Sequence, residues 1–108
     1  MKNLNYSRVC SLLLLISSTI FYAPTSFASE ALADTNACLN CHMVEKKMVG
    51  PAFKAIAAKY KGQANAEAYL IEKIQKGGKG VWGAVPMPPM AQVEAADAQI
   101  LAKWILTK

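Results

Sequence analysis

Five consecutive residues, Cys38-Leu39-Asn40-Cys41-His42, constrain this chain more than any other feature. The run is C-x-x-C-H, the spacing of a c-type haem attachment site. On a helical turn, residues three apart share a face. Both sulfurs therefore reach the two vinyl groups along one edge of a haem, and His42, next in the chain, swings under the iron. Other chemistries fit the run less well. A thioredoxin-like dithiol belongs in a βαβ setting, and no such alternation is visible. A structural zinc site takes four Cys or His ligands, whereas past the N-terminal segment this chain has two Cys and one His. A plain disulfide leaves His42 without a purpose.

Lys2 and Arg8 precede an apolar run, Leu12-Leu13-Leu14-Leu15-Ile16, continued by Ile20-Phe21-Tyr22, and small residues follow at Ser26-Phe27-Ala28. That order reads as a secretory signal peptide over residues 1–28, cleaved after Ala28, with Ala31-Leu32-Ala33 as a second possible site. The apolar core is short against the ~20 residues of a spanning helix, so no stable membrane insertion is expected. Cys10 leaves with the leader, and Cys38 and Cys41 remain. Export also suits the chemistry, because an oxidising compartment would otherwise pair these two thiols. Residues 29–108 are expected to form one small domain, marginal by itself and stapled by its covalently held haem. The formal charge is +5 over the whole chain; loss of Lys2 and Arg8 and the two haem propionates bring it close to neutral. That balance gives no sign of a nucleic-acid partner and allows docking on an acidic protein surface.

The periodicity predicts an all-α fold of about four helices wrapped round one haem. The first is short, near Glu30–Asn36. The second follows Gly50, with Pro51 at the first helical position, Phe53, Ile56, Ala57 and Tyr60 on one face, and Gly62 at its end. The third opens near Asn65 as N-cap, carries Tyr69, Leu70, Ile71 and Ile74, and stops at Gly77-Gly78. The fourth runs from about Val93 to Thr107, with Ala96, Ile100, Leu101 and Trp104 on one stripe. Between the last two, four glycines and three prolines in residues 77–90 forbid regular structure. The stretch is nevertheless apolar, as a wall of the haem pocket would be.

His42 is the sole histidine, so the second axial ligand must be of another type, and methionine is the obvious soft donor. Met43 adjoins His42, and Met48 is tied to the same side. Met87 and Met90 lie in the stiff loop. Pro86 has a fixed φ and Pro88 pushes Met87 into an extended conformation, so Met87 is presented with little entropy left to lose. Met90, with proline only behind it, remains the alternative.

Met48-Val49-Gly50-Pro51-Ala52-Phe53, Gly80-Val81-Trp82-Gly83, Pro86-Met87-Pro88-Pro89 and Leu101-Ala102-Lys103-Trp104 together resemble the small bacterial class I cytochromes c of the c-551 and c-552 type. The resemblance covers nearly all of the expected mature chain. It implies iron bound through His42 and Met87, and a Pro51 carbonyl that accepts the His42 ring N–H. It places Lys73 and Trp82 beside a haem propionate. It also implies a monomeric, periplasmic electron carrier, not an enzyme, passing electrons from respiratory donors to a terminal reductase, oxidase or peroxidase. The chain departs from the family at Met90, where relatives often have an amide that hydrogen-bonds the ligand sulfur. Leu39, Met48, Val85 and Pro86 are expected to form an apolar patch round the haem edge, rimmed by Lys46, Lys47, Lys54 and Lys79. The competing reading is a haem enzyme or gas sensor with a labile sixth ligand, although no histidine or arginine stands where it would assist peroxide cleavage.

Overall fold

The structure is a computed structural model that describes residues 25–108, with side chains from Ser29 onward. Four α-helices form there: α1 (Thr25–Thr35), α2 (Phe53–Tyr60), α3 (Ala66–Lys76) and α4 (Ala95–Ile105). Among the described residues the β structure is limited to one isolated antiparallel bridge between Gly78 and Met87, and the expected all-α architecture holds. Lys2, Arg8, Cys10 and the apolar run lie outside the described residues. No helix within them is long and apolar enough to cross a membrane.

α1 starts five residues earlier than expected and passes through the position after Ala28. It ends because Ala37 turns left-handed, at φ 60 and ψ 17. The Asn36 amide donates to the Leu32 carbonyl at 3.0 Å and satisfies one of the helix's last acceptors. A 3₁₀ turn, Cys38–Asn40, follows at once.

α2 buries Phe53, Ile56, Ala57 and Tyr60, the stripe read from the sequence. Pro51, however, is not its first helical residue. The helix begins two residues later, after Ala52 in an extended conformation and without a side-chain cap. Its leading donors are satisfied by backbone instead: Phe53 N–H donates to Met43 O at 2.9 Å and Lys54 N–H to Val44 O at 3.1 Å. The segment just past His42 is thus the cap of α2. Leaving Pro51 outside the helix frees its carbonyl to accept a side-chain donor.

α3 starts where expected, but Asn65 stands at the cap position without a capping side-chain bond. Glu67 in the first turn and Lys73 and Lys76 in the last complement the helix dipole. Gly77, at φ 71, ends the helix. α4 packs against the other three helices. Its buried set is Ala98, Leu101, Ala102, Trp104 and Ile105. The expected stripe shared only Leu101 and Trp104 with it; Ala96 is exposed and Ile100 is 47% exposed. Ala33, Ala98 and Ala102 are fully buried, and small side chains of this kind let α1 and α4 approach closely. Leu101, 1% exposed, is the largest fully buried side chain. Truncating it to alanine would remove about 2–5 kcal/mol of stability.

Candidate functional site

α1, the 3₁₀ turn, α2, α3 and the 77–90 loop surround a cleft with an empty volume of about 1190 Å³, its mouth included. Cys38, Cys41, His42, Pro51, Lys73, Trp82 and Met87 all line it. Seven residues from four separate stretches of chain therefore meet at one place. Met43, Met48 and Met90 are absent from that lining.

The 3₁₀ turn places the thiols. Cys41 N–H and His42 N–H both donate to Cys38 O, at 3.2 and 2.9 Å. Both thiols are free and half-buried. Burial pushes the Cys38 thiol above its ordinary value, with its own backbone partly drawing it back.

His42 is 8% exposed. Its Nδ1 lies 2.7 Å from Pro51 O. A carbonyl only accepts, so Nδ1 carries the proton and Nε2 keeps its lone pair as a ligand for a metal. The imidazole stacks on Phe53, centroids 5.2 Å apart and planes 16° apart. Phe53 in turn meets Trp104 edge-on at 5.2 Å.

The loop is closed by backbone. Gly78 N–H donates to Met87 O at 3.1 Å, and Met87 N–H returns the bond to Gly78 O at 2.8 Å. Gly80 N–H donates to Gly83 O, and Met90 N–H ties the loop's end to Ile74 O on α3, each at 3.0 Å. This pairing was invisible to composition, which saw only glycine and proline. Gly77 is required for space as well as conformation: a Cβ there would strike the carbonyl oxygen of Met87 and come within 2.9 Å of Pro88 C and Pro89 N.

Trp82 is 38% exposed and meets Tyr60 edge-on at 6.5 Å. Lys59 Nζ stands 5.7 Å from the Trp82 ring and 5.8 Å from the Tyr60 ring, a cation shared by two π faces. Lys73 Nζ lies 5.2 Å from the Tyr69 ring. Burial, and then the Tyr69 hydroxyl 3.4 Å away, push the Tyr60 phenol up to about 12.

The expected surface patch is altered in detail. Leu39 is partly buried against the core. Met48 is exposed, while Val85 and Pro86 line the cleft together with Val49 and Val81, which are not among the expected residues. Lys54 is paired with Glu45 at 2.7 Å, whereas Lys46, Lys47 and Lys79 are exposed. Val49, Val81 and Val85 line the cleft from two separate loops, a placement that no periodic signal reveals.

The residues fit a covalently bound haem. The cleft offers two free thiols on one turn, an imidazole whose Nε2 is left for a metal, a thioether and a predominantly apolar wall.

Comparison with known proteins gives the same chemistry. The family model described as Cytochrome c matches residues 28–108. Cytochrome c-552 of Nitrosomonas europaea is 50% identical over 91 residues, covering 84% of this chain and 88% of that protein. Cytochrome c-551 of Pseudomonas aeruginosa is 46% identical over 100 residues, covering 91% and 95%. Among solved structures, the crystal structure of wild-type Nitrosomonas europaea cytochrome c552 superposes with a TM-score of 0.71 at 55% identity, covering 72% of this chain and 96% of that one.

Proposed function

Since this chain belongs to the cytochrome c family, we propose that it is a periplasmic electron carrier whose haem iron is held by His42 and Met87. Cys38 and Cys41 would hold the haem, which when bound would supply one-electron Fe(II)/Fe(III) chemistry. The protein's own residues do the rest. His42 would offer Nε2 to the iron while the Pro51 carbonyl holds Nδ1–H, which fixes the ring and makes it a stronger donor. Met87 would offer its thioether as a second donor, and Met/His ligation would raise the reduction potential. With two donors supplied by the protein, a change of charge would need little rearrangement. Lys73 and Trp82, both on the cleft wall, would face a propionate.

The cleft mouth supplies the surface for electron transfer. Val49, Val81 and Val85 line the cleft, and the exposed Lys46, Lys47 and Lys79 add positive charge. An apolar patch rimmed by lysine suits brief docking on an acidic partner, with steering that weakens as salt rises. Respiratory donors and a terminal reductase, oxidase or peroxidase are the proposed partners, met by a monomer.

The observation that carries this reading is the meeting, in one apolar cleft, of an Nδ1-protonated imidazole and the single methionine that lines it. Exposure of the reduced holoprotein to carbon monoxide tests it. A carrier with two protein ligands keeps its spectrum on mixing. Prompt formation of a carbonyl complex would establish a labile sixth position and favour a gas sensor or enzyme.

A further inference from the structure

Gly50 is not a turn glycine. Its φ lies outside the left-handed region occupied by Gly62, Gly77, Gly80 and Gly83, so its backbone would accept any residue. Space is what forbids one. A Cβ built on Gly50 would sit 2.5 Å from His42 Cε1, 2.8 Å from Nδ1 and 2.9 Å from Nε2. An in-plane approach to Cε1 would hold the two nitrogens much farther off than the carbon. Near-equal short distances to all three atoms mean that Gly50 lies over the face of the imidazole.

Neither partner is free to retreat. Gly50 N–H is tied to Cys41 O at 2.8 Å, and Gly50 O accepts from Met48 N–H at 3.0 Å. The next residue supplies the carbonyl that holds Nδ1. Phe53, whose ring lies nearly parallel to the imidazole, is 2% exposed and braced by Trp104. The ring is thus gripped by a bare backbone over its face, a carbonyl at its edge and a flat aromatic stacked on it.

We propose that Gly50 is a positioning residue for His42: its lack of a side chain, with Pro51 O and the Phe53 ring, forms a slot that sets the rotation of the imidazole about its Cβ–Cγ bond. This rests on His42 as the proximal ligand. A methyl group at position 50 must turn or displace the ring, and either movement strains the bond to Pro51 and the stack on Phe53.

The test uses the oxidised holoprotein and the proton shifts of the haem methyl groups, whose order follows the direction of the axial ligand plane. Gly50→Ala is expected to keep a low-spin spectrum and to reorder or compress the methyl shifts. A shift pattern identical to the parent would overturn the slot. Gly62→Ala is the control, because φ there is +87 and an added Cβ meets nothing within 4 Å. It should lower thermal stability and leave the pattern unchanged. Equal changes in both variants would show that the pattern merely follows stability, and would also overturn the proposal. If Gly50→Ala accumulates no holoprotein, Phe53→Leu takes its place: loss of the flat wall should alter the pattern, and an unaltered one refutes the slot. Failure of the ligand assignment itself looks different, as a His42→Ala protein that keeps a normal low-spin spectrum.

Discussion

On the segment from Cys38 to Phe53, the His42 ring is 8% exposed and is held by a 2.7 Å hydrogen bond, a stacked phenyl ring and a close backbone contact. On the loop from Gly77 to Met90, Val81, Trp82, Val85 and Met87 line the cleft, and order comes from backbone pairing between Gly78 and Met87. The first region fixes a side chain; the second fixes a backbone and lets it carry a side chain. Regions with few buried apolar contacts open locally at lower free energy than packed ones. In the proposed ligation the imidazole is therefore the more firmly held donor, and the thioether is the one that local opening would release first.

The largest expected effect comes from removing the fixed side chain. His42→Ala should abolish accumulation of holoprotein with a low-spin spectrum, since the ring is the proposed ligand and packs on Phe53. Normal yield and spectrum, read from absorbance of periplasmic extracts, would break the comparison at its stronger half.

Gly77→Ala attacks the clamp. Gly77 pairs φ 71 with ψ −167, a region open essentially to glycine alone that costs alanine about 1–3 kcal/mol, and the clash with Met87 O adds to it. We expect about 2 kcal/mol or more of destabilisation, with the methionine-to-iron charge-transfer band lost at a lower temperature than in the parent. Gly80→Ala is the milder companion. It has φ 93, but nothing lies near an added Cβ, so the loss should be about 1 kcal/mol from conformation alone. Equal losses in the two variants would dismiss the clamp.

The proximal region also carries a strained residue. Ala37, at φ 60, is the one non-glycine residue with positive φ among those described. Ala37→Gly should relieve this, offset in part by a more flexible unfolded chain, for a net gain of up to about 1 kcal/mol. A shift of the denaturant midpoint at unchanged slope would show it.

The smallest effect concerns pH. Tyr60, under Trp82, keeps its proton up to about 12 in the folded state, against an ordinary value of 10.0. Its folded value is raised, so its contribution to stability is complete below pH 10 and drains away between 10 and 12. Tyr60→Phe should flatten that part of the stability–pH curve. An unchanged alkaline slope would mean that burial of this phenol does not govern it.

How much of this was legible in the sequence depends on the reach of each interaction. The C-x-x-C-H run was plain because its chemistry is confined to five neighbours. The α2 stripe and the ends of α3 were plain because their periodicity and the Gly77 stop are local. The α4 stripe was misjudged because α4 is packed by three helices, and the buried band follows those neighbours rather than one ideal face. Pro51 was placed inside α2 on propensity, while the structure spends its carbonyl on His42. The slot at Gly50, the Gly78–Met87 bridge and the Lys59 contact with Trp82 join residues that no local pattern connects.

The central claim is that the backbone clamp presents Met87, and not Met90, to the iron. Met90 is held by its N–H to Ile74 O, is partly buried against the core, and has its sulfur 4.0 Å from the Gln92 amide. The direct measurement is the charge-transfer band from methionine sulfur to Fe(III) in oxidised Met87→Ala and Met90→Ala proteins. The account predicts loss of the band and a lowered potential in the first, and a retained band with a modest shift of potential in the second. A band retained without Met87 and lost without Met90 would move the ligand three residues along the chain and contradict it.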